Sequence, residues 1–170
     1  MDVVIISLRL LHVLAGVYWV GSALFLALEL GPSLAATGAA GGTVLLEMRR
    51  RRYHHGLLYA ALVVMASGLG LLWIVSGGMR VSWLASAPGV ALLTGAVASV
   101  AAVAIALSRI WPAGDRMAAL IELIGLAKRP PTAEEQGTLA RYGAEMGRWS
   151  AASTGCLVVA AAAMGVARYL

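Results

Sequence analysis

The sequence predicts an all-α fold: an integral membrane four-helix bundle with amphipathic cytoplasmic helices between the third and fourth spans. Hydrophobic residues make up 61% of the 170 residues, and charged residues only 12%. A soluble domain carries roughly a quarter charged residues and under half apolar ones. The mean hydropathy of +0.85 points the same way. A lipid bilayer is therefore the expected surrounding of this chain.

Four stretches are long and apolar enough to cross a bilayer as helices, which takes roughly 20 residues each. They cover about residues 3–30, 56–75, 83–107 and 149–166, within one transmembrane domain. A barrel strand would be only about ten residues long and would alternate in polarity. The remaining segments, about 31–55 and 108–148, are expected to be loops outside the hydrocarbon core.

The basic residues predict the orientation. Arg49–Arg52 precede the second span, and six further arginines and lysines lie between the third and fourth spans. Both segments fall on the same side of the membrane, which the positive-inside rule assigns to the cytoplasm. We expect a multi-pass protein of the bacterial cytoplasmic membrane with both termini outside. This topology accounts for the +5 net charge, so nucleic acid is not an expected partner.

The second long loop predicts two helices. Four apolar residues recur there at the spacing of an amphipathic surface helix, namely Met117, Leu120, Ile121 and Ile124. Thr132 and Glu135 have the spacing of a capping box, which predicts that another helix begins there and runs into the fourth span. Small residues four apart, such as Gly56 and Ala60, allow close helix packing. A small bundle this rich in them is also a candidate homodimer.

His12, in the first span, is the most informative residue. Ionisable residues inside a membrane are costly and usually face the interior of the bundle. Gly16 follows one turn later and Trp19 one turn after that, so this helix face offers an imidazole, a gap and an aromatic wall. Such a face would admit a flat macrocycle, with His12 as an axial ligand of haem b. The alternative is a hydrogen bond from His12 to a neighbouring helix, without a cofactor.

Two other residues would complete a haem site in the same half of the membrane. Met65 is the candidate second axial ligand because methionine is a known partner of histidine, although it is also a common core filler. Arg9 lies one turn before His12. Its side chain would either reach outward to the interface or bind an acidic group such as a haem propionate.

His54 and His55 stand at the start of the second span, beside the arginine run. Their functional interpretation is a second metal or haem site, and the alternative is a polar interface that orients the helix. Neighbouring residues on a helix point about 100° apart, so both are not expected to face one ligand. The sequence carries no Ser-His-Asp set, metalloprotease helix or phosphate-binding loop, which argues against hydrolysis and nucleotide-driven transport.

The segment from Leu8 to Gly21 resembles the first helix of a broad group of bacterial membrane proteins with four helices. The shared features are a leucine-histidine pair, a tryptophan seven residues after the histidine, and then a glycine. The Gly31-Pro32 exit, the arginine-rich approach to the second span and the ending from Met164 to Leu170 extend the resemblance over the whole layout. The group includes CopD-like copper-resistance domains, HemJ-type protoporphyrinogen oxidases and many uncharacterised proteins.

The resemblance implies two different cofactors. In HemJ-type proteins the first-helix histidine is important and haem b is bound, and His12 occupies that place. Those enzymes also depend on an intramembrane lysine, whereas Lys128 lies in a predicted loop. A CopD-like protein would handle copper, and methionine or histidine clusters would be expected near its outer face. This chain has scattered methionines and one histidine there.

We therefore expect a b-type haem protein that transfers electrons to or from a membrane quinone or a redox partner protein. The first alternative is a HemJ-like oxidoreductase that acts on a porphyrinogen. The second is a CopD-like copper-handling protein. Whichever metal is bound, His12, His54 and His55 are the candidate metal ligands. The third is a structural or assembly subunit of a larger membrane complex.

Overall fold

The computed structural model describes residues 2–170, apart from the side chains of Asp2 and Ala39. The described chain is helical almost throughout. Its elements are α1 (Asp2–Phe25), a first π turn (Leu26–Leu30), α2 (Gly31–Ala36), α3 (Ala39–Arg50), α4 (Tyr53–Val75), α5 (Val81–Leu84), α6 (Ala87–Ile105), a second π turn (Ala106–Ile110), α7 (Trp111–Leu126), α8 (Ala133–Val166) and a final 3-10 turn (Ala167–Tyr169).

Four continuous helical segments of the described chain are long and apolar enough to cross a membrane: Val3–Ala36, Tyr53–Val75, Ala87–Leu126 and Ala133–Tyr169. The prediction of an all-helical fold with four such segments is confirmed, and it fits a multi-pass membrane protein. We call the end where α1 begins and α8 ends the terminal end. The opposite end, which carries Arg49–Arg52 and Arg109, is called the arginine end.

The first and third spans continue through Pro32 and Pro112 because each helix widens just before its proline. In both π turns, the N–H of the residue before the proline donates to the carbonyl five residues earlier. Proline lacks an N–H and its ring crowds the carbonyl one turn back, and a wider turn relieves that crowding. The helices therefore reach Ala36 and Leu126, past the ends expected near residues 30 and 107.

The long helices pack as two antiparallel pairs, α1 with α4 and α6 with α8. Glycines allow the close approach within each pair: Gly70 lies against Leu8 in the first, and Gly95 lies against Met164 in the second. The two pairs meet less extensively, around a small core. Its buried residues are Trp19, Ala60, Ala61, Val64, Ala102 and Leu157.

The arginine end is extended by α3, α7 and the start of α8. Arg49 of α3 forms an ion pair with Asp115 of α7, and Gly42 of α3 lies against Ile121 of α7. Of the residues used to predict an amphipathic helix, Ile121 and its three apolar companions are half-buried, whereas Asp115 and Glu122 are exposed. This division follows the predicted faces, and the contact of α7 with a membrane surface stays a prediction.

The capping box predicted at Thr132 and Glu135 is confirmed. The Thr132 hydroxyl accepts from the Glu135 N–H at 3.2 Å, and the Glu135 carboxylate accepts from the Thr132 N–H at 2.7 Å. Arg129 also donates to this carboxylate, which raises the pKa of the arginine further. From this cap α8 continues for 34 residues, which corresponds to about 51 Å. Since a hydrocarbon core is only about 30 Å thick, the first turns of α8 extend beyond it.

Candidate functional site

His12 lies half-buried where α1 packs on α4. Its Nδ1 is 3.0 Å from the carbonyl oxygen of Val64 and 3.2 Å from the hydroxyl of Ser67. A carbonyl oxygen can only accept, so Nδ1 carries the hydrogen and donates it to Val64, a tautomer assigned from the partners. In a neutral imidazole the lone pair is then on Nε2. The interhelical hydrogen bond considered for His12 is therefore present, and it leaves the second ring nitrogen available.

Gly68 makes room for the imidazole. A Cβ at this position would lie 2.8 Å from Cε1 of His12 and 3.2 Å from its Nδ1. Any larger residue would push the ring away from α4. The Ser67 hydroxyl donates to the Val63 carbonyl of its own helix at 2.5 Å, so it sits beside the imidazole with its hydrogen already in use. Three features of α4 within about one helical turn thus fix the ring: the Val64 carbonyl, the Ser67 hydroxyl and Gly68.

Nε2 of His12 has no protein partner among the described residues. Within residues 2–170 it makes no hydrogen bond. In the described chain, His55 Nδ1 is the one side-chain nitrogen or oxygen that is both fully enclosed and without a partner. Nε2 of His12 is therefore unpartnered but not fully enclosed in the helix interface. An imidazole whose other N–H donates to a backbone carbonyl is the usual arrangement of a metal-binding histidine.

The other residues predicted for a haem site are distributed differently. Arg9 is exposed one turn before His12, and its guanidinium has no partner among the described residues. Gly16 lies against α4, because a Cβ there would be 3.9 Å from Cγ2 of Val64. The gap expected at Gly16 is thus filled by Val64. Met65 is half-buried on α4, directly after Val64, and its role as an axial ligand stays a prediction.

A separate cavity of about 120 Å³ lies between the two helix pairs, toward the arginine end. Its walls are mostly apolar, and its polar or aromatic members are Trp19, His54, Trp111, Ser150, Ser153 and Thr154. His12 is not among the lining residues. Trp19, which the sequence placed beside His12, therefore belongs to a second site.

His54 and His55 pack together with Trp111 at the edge of this cavity. The two imidazole centroids are 4.2 Å apart, and the indole of Trp111 meets His54 edge-on at 5.1 Å. In the described part of the chain, no three His, Cys, Asp or Glu side chains form a group able to hold a metal ion. The metal-site interpretation of His54 and His55 consequently has no third ligand of these types, and it stays a prediction.

His12 and His54 belong to different levels of the bundle. His12 bonds to Val64, which is ten residues beyond His54 along α4. Ten helical residues correspond to about 15 Å. No single metal ion can therefore take both histidines as ligands. The bundle thus has two candidate sites: an imidazole site toward the terminal end and a cavity toward the arginine end.

Sequence analysis did not identify Ser67, Gly68 or Thr154 as site residues. Serine and threonine in a membrane span usually bond to their own helix, and glycine usually serves packing. The sequence therefore offered no signal that set these three apart. Comparison of the chain with protein-family models, curated proteins and solved structures finds no match.

Proposed function

We propose that this chain is a membrane redox protein that holds haem b on His12. The observation that supports the proposal is the hydrogen bond from His12 Nδ1 to the Val64 carbonyl. This bond fixes the tautomer and the ring orientation and makes Nε2 a better ligand. An unpartnered second nitrogen inside an apolar span is costly, and a ligand on Nε2 would offset this cost.

The donor chemistry around His12 fits haem. A neutral imidazole suits haem iron, and the guanidinium of Arg9, which has no partner among the described side chains, would hold an acidic side group of the macrocycle. When bound, haem would supply one-electron chemistry. The protein would hold the iron through His12 and would keep the imidazole of His12 in place through its contacts with α4. The apolar side chains of the span would exclude water from the site.

A haem carrier is favoured over a HemJ-like enzyme by the position of Lys128. This residue is exposed in the turn between α7 and α8, with a φ of 50°. It lies outside the four apolar helices, so it cannot supply an intramembrane ammonium group. We further propose that the arginine end faces the cytoplasm of a bacterial cell, in accordance with the positive-inside rule.

The test is a reduced-minus-oxidised visible spectrum of the purified protein in detergent. We expect a b-type signal near one haem per chain in the wild type and no signal in His12→Ala. His12→Asn is the sharper variant, since its amide can still donate to Val64 but does not ligate haem iron. His54→Ala, a histidine substitution at the other level of the bundle, should retain the signal.

Two results would overturn this function. One is a wild-type protein that shows no Soret band after expression with ample haem. The other is an unchanged haem content in both His12 variants. Met65→Leu tests the second ligand separately: loss of an axial methionine should shift the spectrum of the reduced haem while the haem content is kept.

A further inference from the structure

The cavity between the helix pairs contains polar groups without partners. Trp19 and Thr154 are each only 8% exposed, yet in the described chain neither the indole N–H nor the threonine hydroxyl makes a hydrogen bond. Neither atom is fully enclosed, because His55 Nδ1 is the one enclosed and unpartnered side-chain atom there. Both residues line the cavity.

Two more polar side chains face the same space. Ser150, one turn before Thr154 on α8, and His54 on α4 both line the cavity, and within residues 2–170 neither makes a hydrogen bond. A membrane-embedded hydroxyl normally donates to a carbonyl of its own helix, as Ser99 does to Gly95 at 2.9 Å. Leaving the buried Trp19 and Thr154 donors unpaired is costly. They would be satisfied by a ligand that accepts hydrogen bonds.

The shape and charge of the cavity narrow the class of ligand. No charged side chain is among its described lining residues, so it suits an uncharged molecule. Its volume of about 120 Å³ is close to that of protein cavities of about 150 Å³ that bind benzene, and is far too small for a tetrapyrrole. Trp19 and Trp111 provide aromatic surfaces against which a flat ring can stack.

We infer that this cavity binds the head group of a membrane quinone. A quinone head is a single uncharged flat ring with carbonyl oxygens that accept hydrogen bonds, and its apolar tail would leave between the loosely joined helix pairs. Trp19 lies on α1 seven residues from His12, which is about 10 Å along the helix. The quinone ring would therefore lie about two helical turns from the proposed haem ligand. The choice of a redox-active ring over another carbonyl compound rests on the proposed haem function.

The test is a titration of the purified protein with a short-tailed benzoquinone, followed by quenching of tryptophan fluorescence. We expect saturable quenching in the wild type. Thr154→Val keeps the side-chain shape and removes one donor, so binding should weaken by about three- to tenfold. The matched control is Thr94→Val, because the Thr94 hydroxyl is exposed on α6 and donates to Val90 of its own helix at 2.9 Å. This variant should bind like the wild type.

Three results would overturn the inference: quenching without saturation, equal quinone affinity in Thr154→Val and the wild type, or displacement of the quinone by an alcohol that carries the same apolar tail but no ring. The last result would mean that a lipid chain fills the cavity. His12→Asn separates the two proposals. If the inference is correct, this variant binds the quinone normally even though it has no haem signal. An absent haem signal in the wild type, together with saturable quinone binding, would remove only the proposed function.

Discussion

The α1–α4 pair and the α6–α8 pair each send one polar side chain across to a backbone carbonyl. His12 Nδ1 donates to Val64 at 3.0 Å in the first pair, and the Ser153 hydroxyl donates to Ala102 at 3.1 Å in the second. A serine has one hydrogen and uses it in this contact, whereas an imidazole retains a second nitrogen. The same type of contact thus completes one pair and leaves the other with a group available for chemistry.

The glycines of the two pairs show the same difference. A Cβ at Gly95 would lie 2.9 Å from Cγ of Met164, and one at Gly68 would lie 2.8 Å from Cε1 of His12. The flexible Met164 side chain can partly move away, although a Cβ at Gly95 would also lie 3.2 Å from the Ala160 carbonyl oxygen. The imidazole is held by its hydrogen bond to Val64 and cannot move without breaking it. The first pair therefore tolerates less change than the second.

The largest effect is expected from Gly68→Ala. Overpacking against a ring that cannot move should lower the free energy of unfolding by about 1–3 kcal/mol and should also abolish haem binding. Gly155→Ala on α8 is the matched control, since a Cβ there meets nothing within 4 Å. It should instead gain up to about 1 kcal/mol from helix propensity. Thermal unfolding in detergent and haem content measure both effects, and equal behaviour of the two variants would show that the imidazole is not held as described.

A smaller effect should distinguish Ser153, which bonds across the α6–α8 interface, from Ser67, which lies at the α1–α4 interface. Ser153→Ala removes the hydrogen bond that joins α8 to α6. This loss should lower the free energy of unfolding by about 0.5–1.5 kcal/mol and leave the haem spectrum unchanged. Ser67→Ala should cost less stability, because that hydroxyl donates within its own helix. It should nevertheless weaken haem binding by about tenfold, since it removes a neighbour of the imidazole that we propose as the haem ligand. Haem titration of both variants would contradict this comparison if Ser153→Ala lost more affinity than Ser67→Ala.

The smallest effect is expected at a contact that belongs to neither pair. The ion pair between Arg49 and Asp115 joins α3 to α7 and is partly exposed. Arg49→Gln should therefore change the free energy of unfolding by less than about 1 kcal/mol. Haem content and quinone affinity should stay at wild-type values. A loss of either ligand in this variant would mean that the arginine end controls the geometry of the sites.

Features set by residues within one helical turn could be predicted from the sequence. Thr132 and Glu135 are three residues apart, so their capping box needs no information from the rest of the fold. The four apolar segments were equally predictable, because lipid selects them by length and composition. The continuation of the helices through Pro32 and Pro112 could not be predicted, since it depends on whether the turn before each proline can widen.

Features set by contact between helices could not be predicted. The spacing of His12, Gly16 and Trp19 correctly places them along one region of α1, but it does not show which helix covers each. Val64 covers Gly16, and Trp19 instead faces a cavity shared with Thr154. The polarity of a site is thus set by partners that are distant in the chain.

The two π turns have a further consequence for the symmetry of the chain. Each adds one residue to a turn, and one extra residue rotates everything that follows by about 100° around the helix axis. The turns begin at Leu26 and Ala106, 80 residues apart, and both stand at the arginine end. The first and third spans therefore make the same change of helical phase at the same end of the bundle, each just before a proline.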